Sequence, residues 1–340
     1  MLASEAESSP LVQPILSSDN ITIITPRKMD YVEYGRKLSH DHYVSMVNNL
    51  SSFLQGSTKV FCRGFDLVKD LSQAKNIELW AYLTDYYVHE DNGKAVVKEA
   101  TRGLVNAICD NGGKLLCQTK TIRDELIQIS GMPLKQFIEL PPMIPDAAPE
   151  ISNTPPGECI RVTYAGKIAP LWGVECLIDA ANSKISVTVI GDKIHNGPAS
   201  DSMFKSRLTG KLESSAYIKW ILRLPRKIVL NEIAYADAAW CARDAYFESQ
   251  TRELSTKVLE CILAGTPPII TKSPIHVELL GEDWPLFIDD IGDVSWKVNL
   301  ESKIGEARNK LPALRVKISK NKLSYVSNRM AKLLGVDGDE

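Results

Sequence analysis

Residues 253–271, E-L-S-T-K-V-L-E-C-I-L-A-G-T-P-P-I-I-T, bring together side chains able to hold an anion and a polyol. Ser255 and Thr256 are N-cap residue types, placed just before Val258, Leu259, Ile262 and Leu263, which recur at helical spacing. Free N–H groups and two hydroxyls at a helix N-terminus form an anion site. Lys257 adds a cation in the first turn, where the helix dipole disfavours it unless an anion is near. Glu260 follows one turn later, where a carboxylate can accept from sugar hydroxyls. A capped amphipathic helix with Glu253 and Glu260 in solvent fits the same residues, so the rest of the chain must decide between the two. Gly265, Pro267 and Pro268 end the helix, and residues 269–271 read as a buried strand.

Strand ends must position that helix. Residues 161–165 read as a strand running into Gly166-Lys167, 185–190 as one running into Gly191-Asp192, and 238–242 as one running into Arg243-Asp244. With the loop before Ser255 they make four strand-end loops, three of them carrying Gly or a basic group. Parallel α/β sheets bind ligands beyond the carboxyl ends of their strands. The first half shows the same alternation. Strands are expected at 21–25, 59–62, 77–83, 114–118 and 137–140, and helices at 41–55, 67–71, 95–109 and 121–129. Such alternation predicts doubly wound parallel sheets. Asp85 ends the third of these strands as a candidate polar group near a reacting centre, and Arg63-Gly64 ends its neighbour. Pro145, Pro149, Pro155, Pro156 and Gly157 break the composition. The expected division is therefore an N-terminal domain over 1–150 and a second over 158–315. Residues 316–340 are expected to form a closing helix that packs back on the first domain. Residues 213–222 read as a helix. Residues 219–227 mix Trp220 with four cations, which suits an amphipathic helix end or contact with anionic lipid at the inner membrane.

Composition removes several classes. A net charge of −2 gives no global field for nucleic acid, and 44% hydrophobic with 24% charged residues is ordinary for a globular chain. The seven cysteines form no CxxC pair and lie mostly in apolar runs, as buried thiols do in a reducing compartment. The five histidines show no metal-ligand spacing; His40 and His42 merely flank Asp41. No apolar run has transmembrane length and no basic leader opens the chain, so the expected location is the cytoplasm or the cytoplasmic face of a membrane. There is no GxGxxG after a strand, no GxxxxGK and no GxSxG, so neither a dinucleotide fingerprint, a P-loop nor a hydrolase elbow can be read.

Five phrases carry a family resemblance. They are T-Y-A-G-K-I-A-P-L-W-G-V-E-C-L-I-D-A at 163–180, V-T-V-I-G-D at 187–192, A-D-A-A-W-C-A-R-D at 236–244, the stretch 253–271, and S-P-I-H-V-E-L-L-G-E-D-W-P-L-F-I-D at 273–289. Together they resemble the retaining glycosyltransferases of the GT-B fold, group 1 or family 4 type, which build capsule and other surface polysaccharides. The resemblance covers 160–290 well. It covers the first half through its pattern and through L-L-C-Q-T-K-T-I-R-D-E-L at 115–126.

The resemblance implies two Rossmann-like domains. It also implies a nucleotide-diphosphate sugar as donor, a UDP-sugar, and a glycan or lipid-linked acceptor on the first domain. No metal or other cofactor is expected, and closure would occur about 141–157. It assigns the donor ribose to Glu260, the diphosphate to Gly166, Lys167, Ser255, Thr256 and Lys257, and places Arg243, Gly191 and Asp192 near the donor. Lys167 and Asp85 are the expected catalytic residues. Three departures stand out. The family's glutamate pair is eight apart, whereas Arg252 stands eight before Glu260 and Glu253 seven before, which leaves the first glutamate's role open. The second basic residue of the phosphate loop is Trp172. The N-terminal domain looks shortened, without the opening strand and Gly-rich loop; the chain is a truncated copy, or residues 1–25 replace that element. A nucleotide-sugar epimerase or hydrolase on the same fold, and a non-catalytic scaffold subunit, are the alternative expectations.

Overall fold

The computed structural model describes residues 40–53, 58–74, 76–149, 159–197 and 201–335. The expected strand at 21–25 and the prolines at 155 and 156 lie outside them. The described residues divide into two units. The first holds those up to Tyr86 together with Lys98–Glu139, and the second holds Tyr87–Val97 and those from Leu140 onward.

The chain runs α1 (His40–Phe53), β1 (Thr58–Arg63), α2 (Phe65–Leu71) and β2 (Ile77–Tyr82), and then a hairpin of β3 (Tyr87–His89) and β4 (Ala95–Val97). It continues through α3 (Thr101–Asp110), β5 (Lys114–Cys117), α4 (Lys120–Ser130) and β6 (Phe137–Glu139). The first unit's sheet is parallel in the order β1-β2-β5-β6. The single helix expected at 95–109 is instead β4 followed by α3. Asp91-Asn92-Gly93 makes a hairpin turn, with Gly93 at φ 89°, and the β-branched Val96 and Val97 pair back onto Val88 and Tyr87.

The second unit continues with β7 (Ile160–Ala165), α5 (Val174–Ala180), β8 (Ile185–Ile190), α6 (Phe204–Ser214), β9 (Ile218–Ile221) and α7 (Arg226–Tyr235). Then come β10 (Ala238–Trp240), α8 (Ala245–Ser249), α9 (Thr256–Ala264), β11 (Pro268–Thr271), α10 (Pro274–Leu280), β12 (Phe287–Ile288), α11 (Leu300–Lys317) and α12 (Leu323–Leu334). The helix expected over 213–222 is the end of α6 followed by an edge strand. Ile218–Ile221 pairs in parallel with β8, and the Trp220 indole donates to the Gly191 carbonyl at 3.0 Å. Of the 219–227 segment, the first three residues thus lie in this edge strand and the last two, Arg226 and Lys227, open α7. Among the described residues no helix is long and apolar enough to cross a membrane.

The second sheet has the order β12-β11-β10-β7-β8-β9. From β7 the chain moves outward through β8 and β9; it then returns to the other side of β7 and moves outward through β10, β11 and β12. The direction reverses between β7 and β10, and a doubly wound sheet opens its ligand crevice at such a point. Val162, Tyr164, Val187 and Val189 from the strands, with Val258, Leu259 and Ile262 of α9, form one buried core beneath it. Residues 142–146 are strapped to the closing helices. Ile144 N–H donates to Asn321 O at 2.9 Å, Leu323 N–H to Ile144 O at 3.0 Å, and Asn321 Nδ2 to Pro142 O at 3.0 Å.

Candidate functional site

Two glycines set the floor of the crevice. Gly166 follows β7 at φ 134°, and Gly191 follows β8. A Cβ on Gly191 would lie 2.2 Å from the Gly166 carbonyl oxygen, so the two loops can approach only without a side chain there. Their N–H groups continue the sheet, Gly166 donating to Ile190 O at 2.8 Å and Gly191 to Ile221 O at 2.9 Å. The glycines thus provide room, and the charge comes from side chains. A cavity of about 380 Å³ opens here, lined among others by Gly166, Lys167, Gly191, Asp192, Arg226 and Glu260. Five of these six are residues that the sequence reading assigned to the donor.

Trp172 gathers the cations. It ends a short turn (Pro170–Trp172) closed by Trp172 N–H to Ala169 O at 3.0 Å. Gly173, at φ 63°, seats that turn; a Cβ there would lie 2.8 Å from Ile291 Cγ2. The Lys167 ammonium lies 5.3 Å from the indole centroid, the Arg243 guanidinium 5.0 Å and the Lys257 ammonium 5.5 Å. Lys257 also sits 3.8 Å over the Tyr164 ring. Ring quadrupoles stabilise such cations by about 0.5–2 kcal/mol each. Where a second basic residue was expected in the phosphate loop, an aromatic ring holds three basic residues together. Tyr164 was missed from the sequence; its signal is an aromatic two positions before Gly166, on the inward phase of a strand.

The charges are set unequally. Burial pulls the Lys257 ammonium down to about 8, with Arg243 nearby acting in the same direction. Arg243 is anchored through its backbone, its N–H donating to Thr271 Oγ1 at 3.0 Å. Its Nη1 lies 3.5 Å from the buried Glu248, whose other oxygen lies 3.5 Å from His276 Nε2. Burial also lowers the His276 pKa, and its Nδ1 is 3.0 Å from the Thr271 carbonyl. Neither Glu248 nor His276 carried a readable signal, since neither shares a motif with Arg243.

Glu260 projects from α9 into the cavity and pairs with Arg226, Nε to Oε1 at 2.8 Å. The Arg226 side chain is 58% exposed, so the pair is a weak one that ligand hydroxyls can displace. Ser255 occupies the N-cap position of α9 in extended conformation, without a side-chain cap bond, and Thr256 beside it is exposed. Glu253, in the loop before α9, accepts from the Tyr87 hydroxyl. Asp85 belongs to the first unit. Both its oxygens accept from Phe65 N–H at 3.0 Å, so it caps α2, whose own N-cap residue, Gly64, has no side chain.

No protein-family model matches the chain, and no curated protein sequence matches it. Solved structures do. HepE of Anabaena, determined with UDP-glucose, superposes with TM-score 0.65 at 12% identity, over 97% of this chain and 90% of its own. Sucrose-phosphate synthase of Thermosynechococcus elongatus gives 0.66 at 13%, over 94% and 81%. A glycosyltransferase of Rickettsia africae gives 0.66 at 12%, over 98% and 89%. The fold is GT-B. At these identities the likeness carries architecture alone, namely two Rossmann-like domains as the sequence predicted.

Proposed function

We propose that this GT-B chain is a glycosyltransferase that takes its sugar from a nucleotide-diphosphate donor, a UDP-sugar, bound on the second unit. One observation carries the reading. The cavity beyond β7, β8 and β9 has Glu260 in its wall, and Lys167, which lines it, is one of three cations grouped on Trp172. A polyol acceptor beside a concentrated positive site matches a ribose joined to a diphosphate. That HepE was solved with UDP-glucose supports uridine as the base.

In this reading the ribose hydroxyls replace Arg226 on Glu260, and the diphosphate lies against Lys167, Arg243 and Lys257. These side chains balance the charge without a metal. As the bond to the sugar breaks, charge builds on the leaving diphosphate, and the three cations stabilise it more than they stabilise the intact donor. Departure and attack on one face of the sugar would give retention. The acceptor is a glycan or lipid-linked sugar of surface-polysaccharide assembly, used at the cytoplasmic side of the membrane.

The test is a thermal-shift screen against UDP-, GDP-, ADP-, CDP- and dTDP-sugars in the presence of EDTA, followed by NMR assignment of the product anomer. A ligand that binds only the folded state raises its apparent stability. Stabilisation by UDP-sugars and a product with the donor's anomeric configuration are expected. A flat screen removes the donor site, and an inverted anomer removes retention.

A further inference from the structure

A second cavity of about 380 Å³ opens on the second unit, nearer the amino ends of β7, β8 and β9. Strand phase makes its floor. Arg161 stands opposite Ser186, Thr163 opposite Thr188, and Thr188 opposite Lys219, so these five side chains share one face of the three strands. Val162, Tyr164, Val187 and Val189, in the other phase, belong to the buried core. Strands of a parallel sheet covered on both faces read as nearly continuous apolar runs. Here β7 and β8 alternate instead. Helix α7 packs against β7, and the cavity lies beside it, over the polar phase of the strands. The same helix lines both cavities of this unit. Arg226 and Val229 of its first half line the one around Glu260, and Glu232 and Tyr235 of its second half line this one.

The lining is rich in hydroxyls and poor in free charge. Thr163 is buried, and Ser186 and Thr188 are half-buried. Tyr217 and Tyr235 stand at the rim, 46% and 53% exposed. None of these five hydroxyls has a hydrogen-bond partner among the described residues. The charged groups, in contrast, are paired. Arg161 Nε donates to Asp237 Oδ2 at 3.0 Å, and Lys219 Nζ lies 3.9 Å from Glu232 Oε2. This is the reverse of the first cavity, where Lys167 and Lys257 rest on aromatic rings. An anion gains little where each cation already has a carboxylate. A neutral ligand with many hydroxyls gains from a floor that can both donate and accept, and its C–H faces gain from tyrosine rings. Those are the properties of a saccharide.

We propose that this cavity is a saccharide-binding site, which holds a short stretch of neutral glycan on the second unit. Its residues are distinct from those around Glu260, and the inference does not rest on the donor site proposed above. The Thr163, Ser186 and Thr188 hydroxyls engage the sugar hydroxyls, and Tyr217 and Tyr235 cover the sugar ring. In a glycosyltransferase such a site retains a glycan away from the reacting centre.

The experiment uses the full-length chain labelled at its threonine and alanine methyls. NMR titrations are run with glucose, galactose, mannose, N-acetylglucosamine, maltose, cellobiose and lactose, and with glycerol and inorganic phosphate as contrasting probes. At least one saccharide is expected to shift the Thr163, Thr188 and Ala216 methyl signals saturably, while glycerol and phosphate leave them in place. Removing two hydroxyls in a Thr188→Val, Tyr235→Phe double variant should weaken that saccharide about fivefold or more, read at Thr163 and Ala216, with the other methyl signals unchanged. Three results overturn the inference: no saccharide of the panel moves these methyls, glycerol or phosphate moves them as much, or the double variant binds the saccharide as wild type does. If the double variant does not fold, Tyr235→Phe alone, at an exposed position, decides: unchanged affinity overturns the inference and a loss of about twofold or more supports it.

Discussion

The two parallel sheets end in similar loops and use them differently. In the first unit the loops after β1 and β2 close on each other: Asp85 gives both oxygens to the Phe65 N–H, and α2 is capped. In the second unit Asp244 does the same locally, its Oδ1 accepting from Phe247 N–H at 2.8 Å. Yet Lys167 and Lys257, at the same sheet edge, make no ion pair with any carboxylate among the described residues. They rest on aromatic rings instead. The first edge spends its strand-end carboxylate on a helix cap and keeps Arg63 over the Tyr82 ring, while the second gathers Lys167 and Lys257 with Arg243 on one indole. Keeping cations on rings rather than on carboxylates leaves them open to an anion, at the cost of a lysine whose proton is weakly held.

The comparison is broken most severely by Gly191→Ala. The added methyl meets a backbone carbonyl that cannot rotate away, and overpacking of this kind costs about 1–3 kcal/mol. The expected result is a lower melting temperature together with loss of UDP binding. In the first unit Gly64→Ala meets nothing within 4 Å, and only its φ of 100° opposes a side chain. It should lower stability without touching UDP binding, as paired melts and calorimetry would show.

Next in size is Lys257→Met. A charge-assisted hydrogen bond is worth about 1.5–3 kcal/mol, so UDP affinity should fall roughly ten- to hundredfold. Asp85→Ala is its counterpart: a lost helix cap lowers stability by about 0.5–2 kcal/mol and leaves UDP affinity as it was. If Asp85→Ala weakened UDP binding as much as Lys257→Met, the contrast between the two edges would collapse.

Lys257 also fixes a pH dependence. It must be protonated to attract a diphosphate, and burial holds its pKa at about 8. UDP affinity should be full below that value and fall as pH rises through it, by up to about tenfold per unit. Stability runs the other way. Between about pH 8 and the usual lysine value near ~10.4, the unfolded chain binds more protons than the folded one, so this group's contribution to stability rises with pH over that window. Calorimetric titrations at pH 7 and 9 check the first part, and denaturant melts of the ligand-free chain check the second.

The alternation of strands and helices was legible because β8, β10 and β11 are short apolar runs bounded by Gly, Pro or a charge. Gly166, Lys167, Gly191 and Asp192, read as strand-end residues, line one cavity because strand ends of a parallel sheet share an edge whatever their separation in the chain; Glu260, which the family resemblance assigned, lines it from α9. Sequence reading missed what depends on long-range packing. The 95–109 segment looked helical because the Asp91-Asn92-Gly93 turn was not weighed against the helical run of α3. The edge strand at Ile218–Ile221 was hidden by its cations. Tyr87 lies 166 positions from Glu253, and nothing local marks the pair. Asp85 was legible as a strand-end carboxylate, but whether such a group caps a helix or faces a ligand depends on which N–H lies opposite.

The smallest expected effect lies on the rim. Asp192 is a cavity residue after β8, and its carboxylate pairs with Arg223 at 3.2 Å, with side chains 38% and 78% exposed. Pairs this open contribute about 1 kcal/mol or less, so Asp192→Asn should barely move the melting temperature. It does remove a negative charge near Lys167 and frees Arg223, so UDP should bind up to about twofold more tightly at low salt. That gain should vanish at about 1 M salt, where the Debye length falls to about 3 Å. In the first unit Arg123 pairs with Asp124 at 2.8 Å and with Glu139, and Asp124→Asn should leave UDP binding unchanged at every salt concentration. A salt-dependent gain confined to Asp192 would show that the open charge belongs to the second sheet's edge. An equal response from Asp124 would mean that UDP senses only the net charge of the chain.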